Sequence, residues 1–194
     1  MLFRSACLDE VGAVIFEDYG KGVLSQRLLD AMRRLAHRHR KITTADPNSR
    51  HPLIFRGLTV VTPNRAEAFA AAQVAYAEPV EDVLRDEPLL LVGQKLLQKW
   101  QSRHLLITLG EHGMCLFQPG KRPHHIPTVA QEVFDVSGAG DTVISTLTLA
   151  LAAGAQPVEA AQISNHAAGV VVGKIGTATC SPEELVASFR RNQR

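Results

Sequence analysis

The chain is poor in cysteine. Cys7, Cys115 and Cys180 are its three thiols among 194 residues. They are far apart and odd in number, so they form neither a disulfide scaffold nor a metal-ligand cluster. Reduced thiols in a cytoplasmic protein are the simple expectation. A long apolar run is also missing. The stretch 143–153 is interrupted by Ser145, Thr146 and Thr148, and it falls short of the roughly 18 residues of a membrane span. No basic head followed by an apolar core marks a secretory signal. Nor does either sign of charge dominate: 21 Lys and Arg stand against 19 Asp and Glu, a formal net charge of +2. That balance calls for no nucleic-acid partner. The local basic, histidine-rich run 33–41 reads as a solvated helix face. No internal repeat occurs. Two phosphate-binding signatures are absent as well: there is no G-x-x-x-x-G-K-[ST], and Gly20–Gly22 does not continue into G-x-G-x-x-G.

What is present is an ordinary globular composition, 45% hydrophobic and 21% charged. The length suits one well-buried domain. Strand-like and helix-like segments alternate, which predicts an α/β fold with a mostly parallel layered sheet. Residues 11–16 read as a buried strand. Ser25 suits the N-cap of a helix over 26–38, whose Leu28, Leu29, Met32 and Leu35 fall at helical spacing. Strands follow at 41–45 and 58–61, then a helix from about 64 and a polar connection over 74–88, part helical from Val80. A helix over 89–100 ends on Trp100, expected as a core anchor. Residues 104–108 and 114–117 read as a strand–turn–strand unit. The stretch 119–127 holds three prolines and the adjacent pair His124-His125, which lacks metal-ligand spacing. A β-like run at 131–134 leads to helices over 142–153 and 157–172. A final helix starts at Ser181-Pro182-Glu183-Glu184, with Ser as N-cap and Pro first.

The chemistry concentrates in Asp135-Val136-Ser137-Gly138-Ala139-Gly140-Asp141-Thr142. Its glycines permit a tight turn and close approach of a ligand to the backbone. The turn opens a helix whose first amides lack intrahelical partners, a place that attracts phosphate. Asp141 at that helix start can accept a proton from an attacking hydroxyl while the amides of Ser137, Gly138, Ala139 and Gly140 hold a transferring phosphoryl group. A glycine-bearing turn capped by an aspartate explains the same eight residues without chemistry. Asp18 and Lys21 follow the first strand, beyond whose carboxyl end open α/β sheets bind ligands. They read either as substrate or phosphate ligands or as surface turn residues. In Thr62-Pro63-Asn64-Arg65-Ala66-Glu67, Thr62 can cap a helix with Pro63 first, or Asn64 and Glu67 can cap each other. Either arrangement can aim Glu67 at a metal–phosphate cluster. Thr108, at a strand end, reads as a structural residue or a phosphate contact.

Taken together, Asp18–Gly22, Asp46-Pro47, Asn64–Glu67, Thr108–Gly113, Asp135–Asp141 and the helix carrying Asn165 resemble, in order, the motifs of the ribokinase-like (PfkB) carbohydrate kinases. The runs Phe117-Gln118-Pro119-Gly120-Lys121, Gln131-Glu132-Val133-Phe134-Asp135 and 167–177 resemble the heptose kinase branch. The resemblance covers nearly the whole chain. It implies a ribokinase-like fold and ATP-dependent phosphorylation of a sugar phosphate, D-glycero-β-D-manno-heptose 7-phosphate at O1, in ADP-heptose and lipopolysaccharide precursor synthesis. It implies Asp141 as general base and Ser137, Gly138, Ala139 and Gly140 as the anion hole. Asn64 and Glu67 would organise Mg²⁺, Glu67 through water. Thr108, Gly110 and Gly113 would border the ATP phosphates, and Asn165 would lie near adenine. Asp18 and Lys21 would face the substrate, and Asp135 would serve a K⁺ site. The family pattern begins further upstream, so the resemblance implies either a homodimer or a missing N-terminal kinase portion with the first strands and the sugar lid, whether truncated or separately encoded. A non-catalytic nucleotide-binding remnant, or a kinase for another sugar, is the alternative.

Overall fold

The computed structural model describes residues 7–130 and 133–191. Among them, six strands make one sheet in simple spatial order: β1 (Ala13–Glu17), β2 (Ile42–Asp46), β3 (Val60–Val61), β4 (His104–Thr108), β5 (Met114–Phe117) and β6 (His124–Ile126). β1 to β4 run parallel, and β5 and β6 are antiparallel to their neighbours. The helices are α1 (Gln26–Arg38), α2 (Arg65–Ala72), α3 (Glu87–Trp100), α4 (Ala139–Ala152), α5 (Pro157–Val172) and α6 (Pro182–Arg191).

Strand side chains alternate between two faces, and each face has its own core. Leu105, Ile107, Cys115 and Phe117 point into a cluster with Leu29, Phe69, Leu96 and Trp100 from α1, α2 and α3. Leu106, Met114 and Leu116 point the other way, into a cluster with Val143, Leu147, Ala160 and Ala161 from α4 and α5. The result is a three-layer α/β arrangement. Trp100 is the expected anchor: it is 1% exposed and meets Phe55 edge-on at 5.9 Å between ring centres. Gly93 lets α3 ride directly on β5, because a methyl group there would sit 2.2 Å from Phe117 Cε1.

Several boundaries moved. The first strand forms at Ala13–Glu17, and Ile15 is 37% exposed, not buried. β1 pairs with β2 on one edge and has no strand on the other among the described residues. The strand expected over 58–61 shortens to Val60–Val61, because the chain enters from a turn in which Gly57 has φ 71°. The connection over 74–88 holds one short 3₁₀ turn, Val83–Arg85. A strand, β6, lies inside the proline-bearing stretch and went unforeseen. His125 Nε2 there bonds the His112 carbonyl at 2.8 Å. Of the β-like run before the central turn, Gln131 and Glu132 lie outside the described residues. Val133 and Phe134 are in no strand, and Phe134 N–H donates to Val172 O at 2.8 Å. The following helix starts at Ala139, three residues before Thr142, because Gly138 adopts φ 78° and serves as its N-cap.

Candidate active site

Two strand ends and one helix start build the site. Glu17 and Asp46 are the last residues of β1 and β2 and are direct partners in the parallel register. Such in-register neighbours share a face of the sheet, with backbones roughly 4.8 Å apart. Helix α4 is fixed above them by a buried hydroxyl pair, Thr44 Oγ1 to Thr148 Oγ1 at 2.7 Å. This brings Asp141, in the first turn of α4, down onto the strand ends. Glu17, Asp46 and Asp141 each present a carboxylate oxygen, all within 4.8 Å of one another.

Two of the three carboxyls, Glu17 and Asp46, are electrostatically strained. Burial pushes the Glu17 carboxyl up to about 7, and the charge of Asp141 adds to the rise. Asp46 is pushed up to about 8, again first by burial and then by the charges of Glu17 and Glu67, against a lowering hydrogen bond from Thr62. Thr62 Oγ1 donates to Asp46 Oδ1 at 3.2 Å. Like charges held this close favour the protonated form unless a cation intervenes. Three hard oxygen donors at this spacing fit Mg²⁺, which takes carboxylates and phosphate oxygens. Tyr19 stands beside the trio. Its hydroxyl titrates above the usual phenol range through burial, then through the charge and hydrogen bonding of Asp141.

The central turn is tied from both sides. Asp135 Oδ1 accepts the Ser137 N–H at 2.8 Å, and Oδ2 accepts the Gly176 N–H at 3.1 Å. These bonds hold the Asp135 carboxyl below the usual carboxylate range. Ala139 N–H donates to Val136 O at 3.1 Å. Of the expected anion-hole amides, those of Ser137 and Ala139 therefore hold the turn itself. The first helical bond runs from Thr142 N–H to Gly138 O, so the amides of Gly140 and Asp141 precede it and point out of the helix start. Gly140 sits beside the trio, and a methyl group there would meet Asp46 Oδ2 at an ordinary 3.8 Å.

The next helix start lies alongside. Asn64 is the N-cap of α2, and the capping-box reading holds: Asn64 Oδ1 accepts Glu67 N–H at 3.0 Å, and Glu67 Oε2 accepts Asn64 N–H at 2.9 Å. The cap and the approach to the trio coexist, since the Glu67 charge reaches Asp46. Thr108 bridges to Asn64 at the end of β4, with its N–H on Pro63 O at 3.0 Å. Gly110 has φ 61° with open space around it, whereas Gly113 is a packing requirement: a methyl group there would fall 2.1 Å from Ile126 O.

Asp18 and Asn165 have partners of their own. Asp18 is 7% exposed, and it accepts Gly20 N–H at Oδ1 (2.9 Å) and bonds His51 Nδ1 at Oδ2 (2.8 Å). It shapes the turn that carries exposed Lys21. Asn165 is buried in α5 and donates Nδ2–H to Pro127 O at 2.8 Å, which pins the segment after β6. Glu17, Tyr19 and Asp46 were not singled out as site residues by sequence reading. The rule that ligands bind beyond the carboxyl ends of parallel strands was the signal for all three.

Relatives share both the fold and the sequence pattern. The model of the pfkB family carbohydrate kinase matches residues 6–184. The chain is 43% identical over 181 residues to the bifunctional protein HldE of Geobacter sulfurreducens, covering 93% of this chain and 36% of that protein. It is likewise 43% identical over 183 residues to HldE of Escherichia coli, covering 94% of this chain and 36% of that protein. The chain thus spans little more than a third of the length of these curated relatives. In structure it superposes on Arabidopsis thaliana ribokinase complexed with ribose and ATP at a TM-score of 0.79 and 17% identity, over 97% of this chain and 59% of that one. Phosphofructokinase-2 from Escherichia coli in complex with potassium gives a TM-score of 0.79 at 16% identity, over 99% and 62% of the two chains. No helix among the described residues is long and apolar enough to cross a membrane. With a ribokinase-like fold, an ordered set of motifs and a matching family model, this chain belongs to the pfkB family of carbohydrate kinases.

Proposed function

We propose that the chain forms the phosphate and base side of a site that phosphorylates D-glycero-β-D-manno-heptose 7-phosphate at O1. The observation that carries this reading is the placement of Asp141 at the start of α4, within 4.8 Å of Glu17 and Asp46. The Asp141 carboxylate takes the proton of the sugar O1 hydroxyl as O1 bonds the γ-phosphorus of ATP. The bond from that phosphorus to the β–γ bridging oxygen breaks, and ADP leaves with the electron pair. The amides of Gly140 and Asp141 hold the transferring phosphoryl oxygens. Glu17 and Asp46 would hold Mg²⁺ directly and Glu67 through water. Bound there, Mg²⁺ supplies charge neutralisation at the phosphates. Thr108 and Gly110 border the phosphates, Gly113 keeps their loop folded, Asn165 fixes the adenine side through residues 127–130, and Lys21 meets the sugar phosphate. A K⁺ ion at the Asp135 turn belongs to the same proposal. So do a cytoplasmic setting, an N-terminal portion or second copy that completes the sugar side, and a role in ADP-heptose synthesis.

The heptose assignment is supported by similarity to HldE and by the runs 117–121 and 167–177. The test is ADP formation by the purified chain with ATP, Mg²⁺ and the heptose 7-phosphate, alone and with the N-terminal portion of an HldE relative. ³¹P NMR of the product then shows which oxygen carries the phosphate. Sugar-dependent ADP and a new anomeric phosphate are expected. Folded protein that binds ATP without turnover in either arrangement would favour a non-catalytic nucleotide binder, and preference for a different sugar would reject the heptose assignment.

A further inference from the structure

The run 33–41 keeps Arg34, His37, Arg38 and Arg40 exposed, as a solvated face does. It lines one wall of a cleft of about 460 Å³. From α1 and the turn after it come Arg33, His37, Arg38, Arg40 and Lys41, and Arg103 arrives from the segment entering β4. Ile42, Thr43, Gly57 and Thr59 complete the lining, and no Asp or Glu is among these residues. The cleft lies at the amino ends of β2, β3 and β4. Ile42 and Asp46 are opposite ends of β2, so the cleft is about 13 Å along the sheet from the carboxylate trio at ~3.3 Å per residue. It is a separate place.

The local structure presents the cations to the cleft. Arg40 adopts the left-handed conformation, φ 54°, which turns the chain sharply between α1 and β2 and sets Arg38, Arg40 and Lys41 around one opening. Gly57, φ 71°, lies against the Arg33 guanidinium: a methyl group on it would be 3.3 Å from Nη1. Arg33 Nε is buried without a hydrogen-bond acceptor and forms a loose ion pair with Asp30 Oδ1 at 3.9 Å. Thr43 and Thr59 tie the floor together, each side-chain oxygen accepting the other residue's N–H at 3.1 and 3.2 Å. Five permanently cationic groups thus surround one concavity in a chain whose net charge is only +2.

Like charges gathered around a cleft of this size repel one another unless an anion sits among them, and guanidinium forks match phosphate oxygens. The cleft volume lies in the range of roughly 300–1,000 Å³ typical of small-molecule sites. A single phosphate would leave most of the charge unmatched. We propose that this cleft is a second ligand site, for a small molecule bearing two or more phosphate groups. The proposal is independent of the sugar assigned to the kinase site.

The test is isothermal titration of the full chain with sodium tripolyphosphate in the absence of divalent metal. Wild type is compared with R38E/R40E/R103E, all three positions being exposed. Binding to wild type is expected, weakened at least about tenfold in the triple variant, since three charge-assisted contacts are removed. Thermal melts check that the triple variant is folded. If it is not, R38Q/R40Q replaces it, with the same direction of effect. ATP and ADP as second titrants separate a nucleotide from a simple oligophosphate, and only the part of their binding that the triple variant loses belongs to the cleft. No binding by wild type, or binding that survives in the folded variant, would overturn it. Tighter, variant-sensitive binding of a single-stranded oligonucleotide would replace the small molecule with nucleic acid.

Discussion

The two ends of the parallel strands carry opposite charge and were unequally visible. At the carboxyl ends, Glu17, Asp46 and Asp141 converge within 4.8 Å. At the amino ends, five arginines and lysines surround a cleft without an acid in its wall. Both are like-charge clusters in which a counter-ion would relieve the repulsion. The difference lies in assembly. The basic cluster is largely one contiguous run, 33–41, while the acidic trio is collected from three distant stretches by strand register and by the seat of one helix.

Removing the base from the acidic end has the largest expected effect. Asp141→Asn keeps the size of the side chain, replaces one acceptor oxygen with an amide donor and removes its proton-accepting charge. Sugar-dependent ADP formation should fall about 10²–10⁴-fold, while ATP binding measured by titration is retained. Turnover within a factor of a few of wild type would remove Asp141 from the mechanism. A second, smaller loss should separate metal holding from base chemistry. Asp46→Asn should raise the Mg²⁺ concentration for half-maximal turnover by about tenfold or more, the equivalent of losing one charge-assisted contact, and excess Mg²⁺ should recover much of the rate. A variant with unchanged Mg²⁺ dependence would show that Asp46 is a structural carboxylate bonded to Thr62.

The basis of these predictions also marks how far the sequence could be read. The motif 135–142 announced the turn, the helix and Asp141, because glycines at 138 and 140 and an aspartate at a helix start are local signals. Asn64 and Glu67 were legible as a pair for the same reason, and the capping box forms as one of the two readings had it. The six helices and the strands β4 and β5 followed from apolar spacing and turn residues. Glu17 and Asp46 were not read as partners, since their meeting depends on which β1 residue lies opposite which β2 residue. β6 was hidden because its prolines lie outside the three residues that pair with β5, while His124 and His125 look nothing like a strand. Asp18 read equally as a ligand or a turn residue; its bonds to Gly20 N–H and His51 Nδ1 engage the carboxylate in the turn.

Gly140→Ala sharpens the comparison from the backbone side. The added methyl group meets Asp46 Oδ2 at 3.8 Å, an ordinary contact, and Ala is a better helix former than Gly. Thermal stability should hold within about 2–4 °C, the equivalent of ~1 kcal/mol in a chain of this length. Turnover should nonetheless drop, because the methyl group occupies the approach of phosphate to the amides of Gly140 and Asp141. Full turnover in Gly140→Ala would place the phosphate elsewhere.

The smallest effect is on stability against pH. Glu17 and Asp46 have folded-state values of about 7 and about 8, above their ordinary 4.5 and 3.8. Between those limits the folded chain holds more protons than the unfolded one, so metal-free stability should decrease as pH rises from about 5 to 8. Both groups are partly solvated, which moderates the slope. Melting curves in EDTA at pH 5.5, 7 and 8.5 check the sign. A Tm that climbs across this window would contradict the strain on Glu17 and Asp46.

The most direct test of a cation-holding site built from separated stretches is the Mg²⁺-induced shift in Tm at pH 8.5, where Glu17 and Asp46 are ionised. It compares wild type with Glu17→Gln/Asp46→Asn. The wild type should begin less stable in EDTA and gain several degrees on saturation with Mg²⁺, as expected of a ligand that binds only the folded state. The double variant should begin more stable and gain almost nothing. Equal Mg²⁺ shifts in the two proteins would contradict the account, because the ion would then be held by residues other than the carboxylates that β1, β2 and α4 bring together.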